Sequence, residues 1–575
     1  MASLKEKIEA HLKLIYEENY QVEWTEALCE RINEFCETSS HPPTSNALTE
    51  KDTVLIAYAD SVHEGEGKAS LPVMQKFWSE YLRESVNTIH FLPFYPWSSD
   101  DGFSVIDYGR IDSRYGEWKD VKAFPCQIMA DAVFNHCSSQ NKVFQKALKG
   151  DRDALKNFVN FSQEEYDNPS FQEKLKMVTR PRTHPLLTPY KMGEETRWVW
   201  TTFSEDQIDT NYGHFVFLEK TVAWLLDYFA NGVDWVRIDA VPFFWKEVGT
   251  TSSHHPKTHE IVKLYRTLFD SVSENKVLIT ESNVPHKENI SYWGDGNNEA
   301  HLVYNFTLPS LLVHAYEFET AEKLHRWSSS LSFDSKTCGF FNINATHDGI
   351  GVRGLEGHVE TVDLGRICET VQSKGGMINY KTKEDGSEVP YELNITWTSL
   401  ICDKQKDEEE NLRKLLSSHS HVLSFPGVPA LYIHNFFASE NAPELAHESG
   451  INRRINREKL SYSDAVARIT QEGFAKTHFE SLQNMLSIRH EERAFHPFAP
   501  QEDVSTHPQV WSYFRGEGRD RIMVLTSFAS QSLSVDLSSI GVDGKMKNLI
   551  DKTGDECSGE IVLKSFETLW LKEVI

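Results

Sequence analysis

Three features of the sequence predict an α/β fold, and within that class a (β/α)8 TIM barrel with two loop insertions and a small C-terminal antiparallel β-domain. Eight short runs rich in β-branched and aromatic residues recur between helix-length stretches. Two of the intervals are too long for a simple crossover, and beyond residue 500 the pattern changes to short alternating runs.

The chain opens on "MASLKEKIEAHLKLIYEENY", where Leu4, Ile8, Leu12 and Ile15 recur at helical spacing with charges between them. This predicts a helical extension over residues 1–50 rather than an apolar signal core. The polar, proline-bearing stretch "ETSSHPPTSN" (37–46) is the expected connector. The barrel is expected over 51–495. Its strands are predicted in "TVLIAYA" (53–59), "TIHFLPF" (88–94), "QIMADAVFNH" (127–136), "GVDWVRID" (232–239), "KVLITES" (276–282), "HLVYNF" (301–306), "GFFNINATHD" (339–348) and "GVPALYI" (427–433). Helical stretches such as "FVFLEKTVAWLLDYFA" (215–230) and "THEIVKLYRTLFDSVSE" (258–274) fall between them. That is the βαβα order of a parallel sheet, and eight repeats favour a closed barrel over an open one.

The long intervals, 137–214 and 349–426, each begin just past a strand's C-terminal end, where barrel enzymes build their sites from loops. They predict an inserted domain at about 138–213 and a second insertion at about 350–425. The charged run "CDKQKDEEENLRK" (402–414) reads as a solvated helical face. The closing runs "VWSYFRG", "DRIMVLTSF", "LSVDL" and "IVLKSFETLWLK" predict a β-domain over 500–575.

Across 575 residues, 59 Lys+Arg against 85 Asp+Glu leave a net charge of −26. This argues against a nucleic-acid or anionic-membrane surface, so any bound phosphate must be met by local arginines. Eight cysteines are scattered without a CxxC pair or a metal-like cluster, as suits a reducing compartment. No run approaches the roughly 18 uninterrupted apolar residues of a membrane span. A cytoplasmic protein, monomer or homodimer, is expected.

Chemically capable residues sit at the ends of four runs: Asp131, Asn135 and His136; Arg237 and Asp239; Glu281; His347 and Asp348. Arg237 and Asp239 are two apart on a strand-like run and share a face. They read either as a structural ion pair or as a carboxylate held ionised by its neighbour for nucleophilic or base chemistry. Each of the others, taken singly, reads as a strand-end cap. Four ends so equipped converge on one rim, and function in barrels concentrates there.

Three carboxylates and an arginine suit cleavage of a glycosidic bond. Retention of configuration needs one ionised carboxylate and one protonated carboxyl about 5 to 5.5 Å apart. Pairing with Arg237 would keep Asp239 ionised, and burial behind "VLIT" would raise Glu281. Asp348 would bind sugar hydroxyls.

"DAVFNH", "GVDWVRIDA", "LITES" and "ATHDGIGV" resemble, in order and at fitting intervals, the four conserved regions of the α-amylase superfamily of barrel glycosidases. The resemblance implies Asp239 as nucleophile, Glu281 as acid/base and Asp348 as transition-state stabiliser, with His136, Arg237 and His347 around the glucosyl ring. "FLPFYPWSSDDGFSVIDY", "TRPR", "WTTFSEDQIDTNY", "LSFPGVPALYI" and "INRRINRE" are similar to the sucrose phosphorylase subfamily, from about residue 50 to the C-terminus. That similarity implies glucosyl transfer to phosphate. It places Asp100 and Arg457 at the closed end of the glucose pocket, Gln207 beside the nucleophile and Phe203 as an aromatic wall. Arg182 and Tyr391 would meet phosphate or the acceptor. Arg180 and Arg182 alternate, so one of them is expected to face the site.

The chain departs from sucrose phosphorylases after the acid/base, where their Glu-Val-His gives way to Glu281-Ser282-Asn283. The stretches "ESNVPHKENISYWG" and "INYKTKEDGSEVPYELN" and the N-terminal extension instead resemble glucosylglycerate phosphorylases. Asn283 then belongs to the acceptor side, and 2-O-α-glucosyl-D-glycerate is the expected glucoside. Sucrose or glucosylglycerol phosphorolysis, α-glucosidase-type hydrolysis and a non-catalytic barrel are the alternatives. Inorganic phosphate, α-glucose 1-phosphate and a small acceptor are the expected partners. No cofactor and no metal are implied, although Asn135 lies where some amylases have a calcium ligand.

Overall fold

The computed structural model describes residues 3–38, 48–65, 67–273, 275–332, 335–382, 386–551 and 556–574. Eight parallel strands close into a ring: β1 (Val54–Ala57), β2 (Thr88–Phe91), β3 (Gln127–Ala132), β4 (Trp235–Ile238), β5 (Val277–Thr280), β6 (Leu302–Asn305), β7 (Gly339–Asn342) and β8 (Val428–Tyr432). Val54 pairs with Thr88 on one side and Ala430 on the other, which joins the first strand to the last. Each strand lies inside one of the eight predicted runs.

The strands stop short of the runs' C-terminal ends. In "QIMADAVFNH" the barrel strand ends at Ala132, and His136–Ser138 pairs antiparallel with Gln207–Asp209 of the first insertion. In "GFFNINATHD" the strand ends at Asn342, and His347 and Asp348 ride on the following loop. Apolar content cannot mark these ends, because the loops are as buried as the strands they leave.

Helices α1 (Leu4–Tyr16) and α2 (Val22–Thr38) form the extension. Ser3 and Glu6 make a reciprocal capping box at the start of α1, and Ile8, Leu12 and Ile15 are fully buried. These helices pack on α3 (Phe215–Ala230) and α4 (Pro256–Val272) of the barrel's outer layer. Trp24 stacks on Phe215 with centroids 4.5 Å apart and planes 4° from parallel. Residues 39–46 of the expected connector lie outside the described residues.

The 137–214 interval carries a three-stranded antiparallel sheet, Asn160–Ser162, Glu195–Trp200 and Leu187–Met192, over a small core of Val178, Leu186, Leu187 and Trp200. The 349–426 interval carries a second antiparallel sheet, Ile350–Gly351, Glu388–Asn394 and Met377–Thr382, before the barrel helix α5 (Glu408–Ser424). The charged run is exposed over residues 404–409 and half-buried over 402–403 and 410–414, and it is helical only from Glu408. From Leu415 onward α5 is largely buried, next to α6 (Phe474–Glu491). The C-terminal strands Gln501–His507, Val510–Arg515, Ile522–Ser527, Thr568–Glu573, Met546–Asn548 and Glu556–Cys557 form one antiparallel sheet in that spatial order. Among the described residues no helix is long and apolar enough to cross a membrane.

Candidate active site

Arg237, on β4, is the hub. Its guanidinium is almost wholly buried and donates to Asp131, at the end of β3, and to Asp239 Oδ1 at 2.8 Å. Its other terminal nitrogen stands 3.6 Å from Glu281 Oε2. Asp131 is held from behind by His90 Nε2 at 2.8 Å. The parallel register sets Arg237 opposite Asp131 and Ile279, so adjacent strands deliver these groups to one level of the rim.

Ala240, just past Asp239, has φ +50°, a left-handed conformation uncommon for a residue with a Cβ. The turn aims the Ala240 N–H at Glu281 Oε2, 3.1 Å away. Burial pushes the Glu281 carboxyl up to about 7, with Asp239 and Asp348 adding to the effect against the pull of Arg237. Burial also raises Asp239, and there too Arg237 opposes it. The guanidinium thus moderates Asp239 but does not by itself hold it low, as pairing alone had suggested.

Asp348 has the opposite balance. Burial pushes it up, yet the guanidinium groups of Arg453, Arg457, Arg237 and Arg182 outweigh that and hold it below the ordinary carboxylate value. Arg453 Nη1 lies 2.9 Å and Arg457 Nη2 3.2 Å from Asp348 Oδ1. Gly349 makes this loop possible: at φ +85°, a Cβ there would stand 2.2 Å from the Leu393 carbonyl, so glycine lets the strand Glu388–Asn394 close over Asp348.

A cavity opens on these acids. Of the residues expected there, Asp100, His136, Arg182, Phe203, Gln207, Asp239, Glu281, Asn283, Asp348 and Tyr391 all line it. Arg237, His347 and Arg457 do not form its surface. Arg237 lies beneath the acids, and His347 is buried with its ring stacked on Phe103 at 5.0 Å. Burial, reinforced by Arg457, holds His347 far below its ordinary value, so it is neutral. Arg457, expected to close the glucose pocket with Asp100, bonds Asp101 Oδ2 at 2.8 Å and the His347 carbonyl at 3.0 Å and stands 3.8 Å from Asp100 Oδ1. The arginine on the cavity wall is Arg453. Gln207, expected beside the nucleophile, bonds Asp100 Oδ2 and the Phe103 carbonyl, each at 3.4 Å, and meets His136 Nε2 at 3.2 Å.

On the outer side, Arg182 lies between the rings of Phe203 and Tyr391, at 5.5 and 5.2 Å, with Glu392 at 3.7 Å. Arg180 turns away to the carbonyls of Thr183 and His184. Asn283 donates to the Tyr391 carbonyl at 3.3 Å. A Cβ on Gly351 would meet the Asn283 amide at 2.7 Å, so the two residues are packed as a unit.

Sequence reasoning missed Arg453, Glu392 and Lys246. The first lies in an arginine-rich turn without periodicity to orient it, and the second in an exposed-looking hairpin. Lys246 follows the β4 loop, and its ammonium is met by four oxygens: Asn135 O and Oδ1 at 2.9 Å, Asp209 Oδ2 at 3.2 Å and Thr210 O at 3.3 Å. The Asn135 oxygen that could have met calcium is thus bonded to a lysine. Among the described residues no three His, Cys, Asp or Glu side chains are grouped as metal ligands would be.

A closed parallel barrel whose strand ends gather three acids around one buried arginine defines a glycosidase-type barrel enzyme. The family described as "Alpha amylase, catalytic domain" matches residues 67–341. The glucosylglycerate phosphorylase of Escherichia coli is 38% identical over 99% of this chain and all of its own length. That of Allomeiothermus silvanus is 36% identical over 99% and 98%. The sucrose phosphorylase of Bifidobacterium adolescentis is 27% identical over 88% and 97%. In fold the chain is similar to the sucrose 6F-phosphate phosphorylase of Thermoanaerobacter thermosaccharolyticum, with a TM-score of 0.74 over 91% of this chain and all of that one at 21% identity. The chain belongs to this phosphorylase family, glycosyltransferases of the α-amylase superfamily.

Proposed function

We propose that the enzyme is a retaining phosphorylase that converts 2-O-α-glucosyl-D-glycerate and phosphate to α-glucose 1-phosphate and D-glycerate. The carrying observation is the unequal placement of two acids on one guanidinium: Asp239 at 2.8 Å, Glu281 at 3.6 Å with its carboxyl raised to about 7. The closer guanidinium favours the ionised form more at Asp239 than at Glu281, which suits the first to attack and the second to donate a proton.

Asp239 attacks the anomeric carbon as its bond to the glycerate oxygen breaks, and Glu281 gives its proton to that oxygen. The glucosyl ester on Asp239 is then attacked by phosphate, whose proton passes to the now ionised Glu281. Two inversions give net retention. Asp348, with Asp100 and His136, binds the sugar hydroxyls. Arg182, whose carboxylate neighbour is no closer than 3.7 Å, offers paired N–H donors to phosphate and to the glycerate carboxylate in turn. Asn283 and Tyr391 flank that place. The names of the similar phosphorylases support glycerate as acceptor. Eight cysteines standing as free thiols fit a cytoplasmic enzyme.

Purified enzyme given α-glucose 1-phosphate and a panel of acceptors should release phosphate fastest with D-glycerate. Fructose or glycerol used equally well would move the reading to a sucrose- or glycerol-directed phosphorylase, and release without any acceptor to a hydrolase. Asp239→Asn should lose nearly all turnover. Glu281→Gln should lose much less on an activated donor such as α-glucosyl fluoride than on the glucoside, because fluoride leaves without a proton. The β-anomer as first product by NMR would refute retention.

A further inference from the structure

Three arginines stand on one turn, Asn452–Asn456 and its following residue, after β8: Arg453, Arg454 and Arg457. Arg454 forks onto Asp101 at 2.6 and 3.0 Å, and Arg457 binds Asp101 and Asp348 from behind the wall. Arg453 alone of the three lines the cavity. Its guanidinium has two close partners, Glu392 on the strand Glu388–Asn394 and Asp348 on the loop after β7, with Asp100 Oδ2 farther off at 3.9 Å. The Nε and Nη2 edge forks onto Glu392 at 3.0 and 2.6 Å, while Nη1 reaches Asp348 Oδ1 at 2.9 Å.

A planar guanidinium fixed by a fork at one edge has its remaining nitrogen fixed too. Glu392, nearly buried and further held by Asn379 at 3.2 Å, supplies that fork. We propose that Arg453 is a positioning residue of the glycosyl transfer, aimed by Glu392 so that Asp348 is held in one place at the sugar. The inference rests on the reading that Asp348 takes part in the reaction. The same Glu392 carboxylate stands 3.7 Å from Arg182, so the acceptor side and Asp348 are joined through two side chains.

Charge alone would not need this geometry, because Arg457, Arg237 and Arg182 also act on Asp348, and His347 Nε2 stands 3.3 Å from it. Lysine at 453 would keep the charge and lose the fork, which separates aiming from mere neutralisation. Arg453→Gln should lower kcat about a hundredfold, as expected when a reacting group is misplaced by about an ångström, with KM for phosphate changed less than about threefold. The acid limb of its kcat–pH profile should move up, because Asp348 loses its nearest cation. Arg453→Lys should restore the position of that limb but only part of kcat. Glu392→Gln should lose about tenfold, and combining it with Arg453→Gln should add little, since the pair acts as one unit.

An unmoved acid limb with kcat near wild type in Arg453→Gln overturns the inference, as does full additivity of the two losses. Should Arg453→Gln not fold, the pH profile of Arg453→Lys and the kcat of Glu392→Gln decide the matter, a wild-type kcat in both overturning it. Asp348→Asn, measured alongside, separates two kinds of failure. If it is inactive while Arg453→Gln is normal, the positioning role alone falls; if it is active, the role given to Asp348 falls and this inference with it.

Discussion

At the scale of single residues, Glu281 sets a conflict between stability and chemistry. A carboxyl raised to about 7 in the folded protein, against an ordinary 4.5, is protonated when folded at pH values where the unfolded chain has already ionised. Below about pH 4.5 both states hold the proton and the group contributes nothing. Stability is lost as pH rises from there, and above about 7 the loss is complete, on the order of 3 kcal/mol for the shift. Glu281→Gln removes this penalty while keeping an oxygen to accept from Ala240. Its urea midpoint should exceed that of wild type at pH 8 and match it at pH 4; equal midpoints at both would show that the acid is not raised. The acids themselves were legible from their places at the ends of apolar runs. Their protonation was legible only in part: "VLIT" before Glu281 foretold burial, but no local pattern showed that burial would also raise Asp239 against its own arginine.

At the scale of elements, the loops after β3 and β4 are fastened by a cation that belongs to the chain. The Lys246 side chain is buried, its Nζ among Asn135, Asp209 and Thr210, and Asp209 in turn accepts from Thr202 N at 2.9 Å and Oγ1 at 2.6 Å. Lys246→Met would leave Asp209 charged and unpaired in the interior, and removing one partner of a buried pair typically costs 3–5 kcal/mol, so about that loss is expected in chemical unfolding. Asp209→Asn in the same chain should recover part of it by removing the stranded charge. If the single substitution costs less than about 1 kcal/mol, solvent reaches this site and the lysine is not its fastener. Nothing in "PFFWKEVG" foretold this role, since a lysine two residues past a strand loop reads as a surface charge. The strands were legible because a sheet buried on both faces writes itself as continuous apolar runs. Their ends were not, because the site loops are buried just as deeply, and the turn carrying Arg453 has no period that could have distinguished it from Arg457.

At the scale of the whole molecule, the N-terminal helices close a surface that the barrel would otherwise expose. The 3.6-residue pattern of Leu4, Ile8, Leu12 and Ile15 showed that α1 buries one face, but not which surface receives it. That surface is the outside of α3 and α4, with polar contacts such as His11 Nδ1 to Glu260 Oε1 at 2.6 Å. One thread leads inward: Tyr16 donates to the Tyr212 carbonyl at 3.0 Å, and the Tyr212 ring stacks on Phe244, five residues after Asp239. Burial of three fully enclosed aliphatic side chains at about 1.5–3 kcal/mol each outweighs what one hydrogen bond to that thread contributes, about 1 kcal/mol. The extension therefore acts on stability first. Leu12→Asp, which places a charge in the sealed interface, should lower the unfolding midpoint and raise aggregation, while kcat and KM of the folded fraction stay within about twofold of wild type. Tyr16→Phe, which cuts only the thread, should leave both midpoint and kinetics near wild type. Should kcat fall in either variant while the midpoint holds, the extension would be acting on the β4 loop through Tyr212 and Phe244, and its role would be in catalysis rather than in covering the barrel.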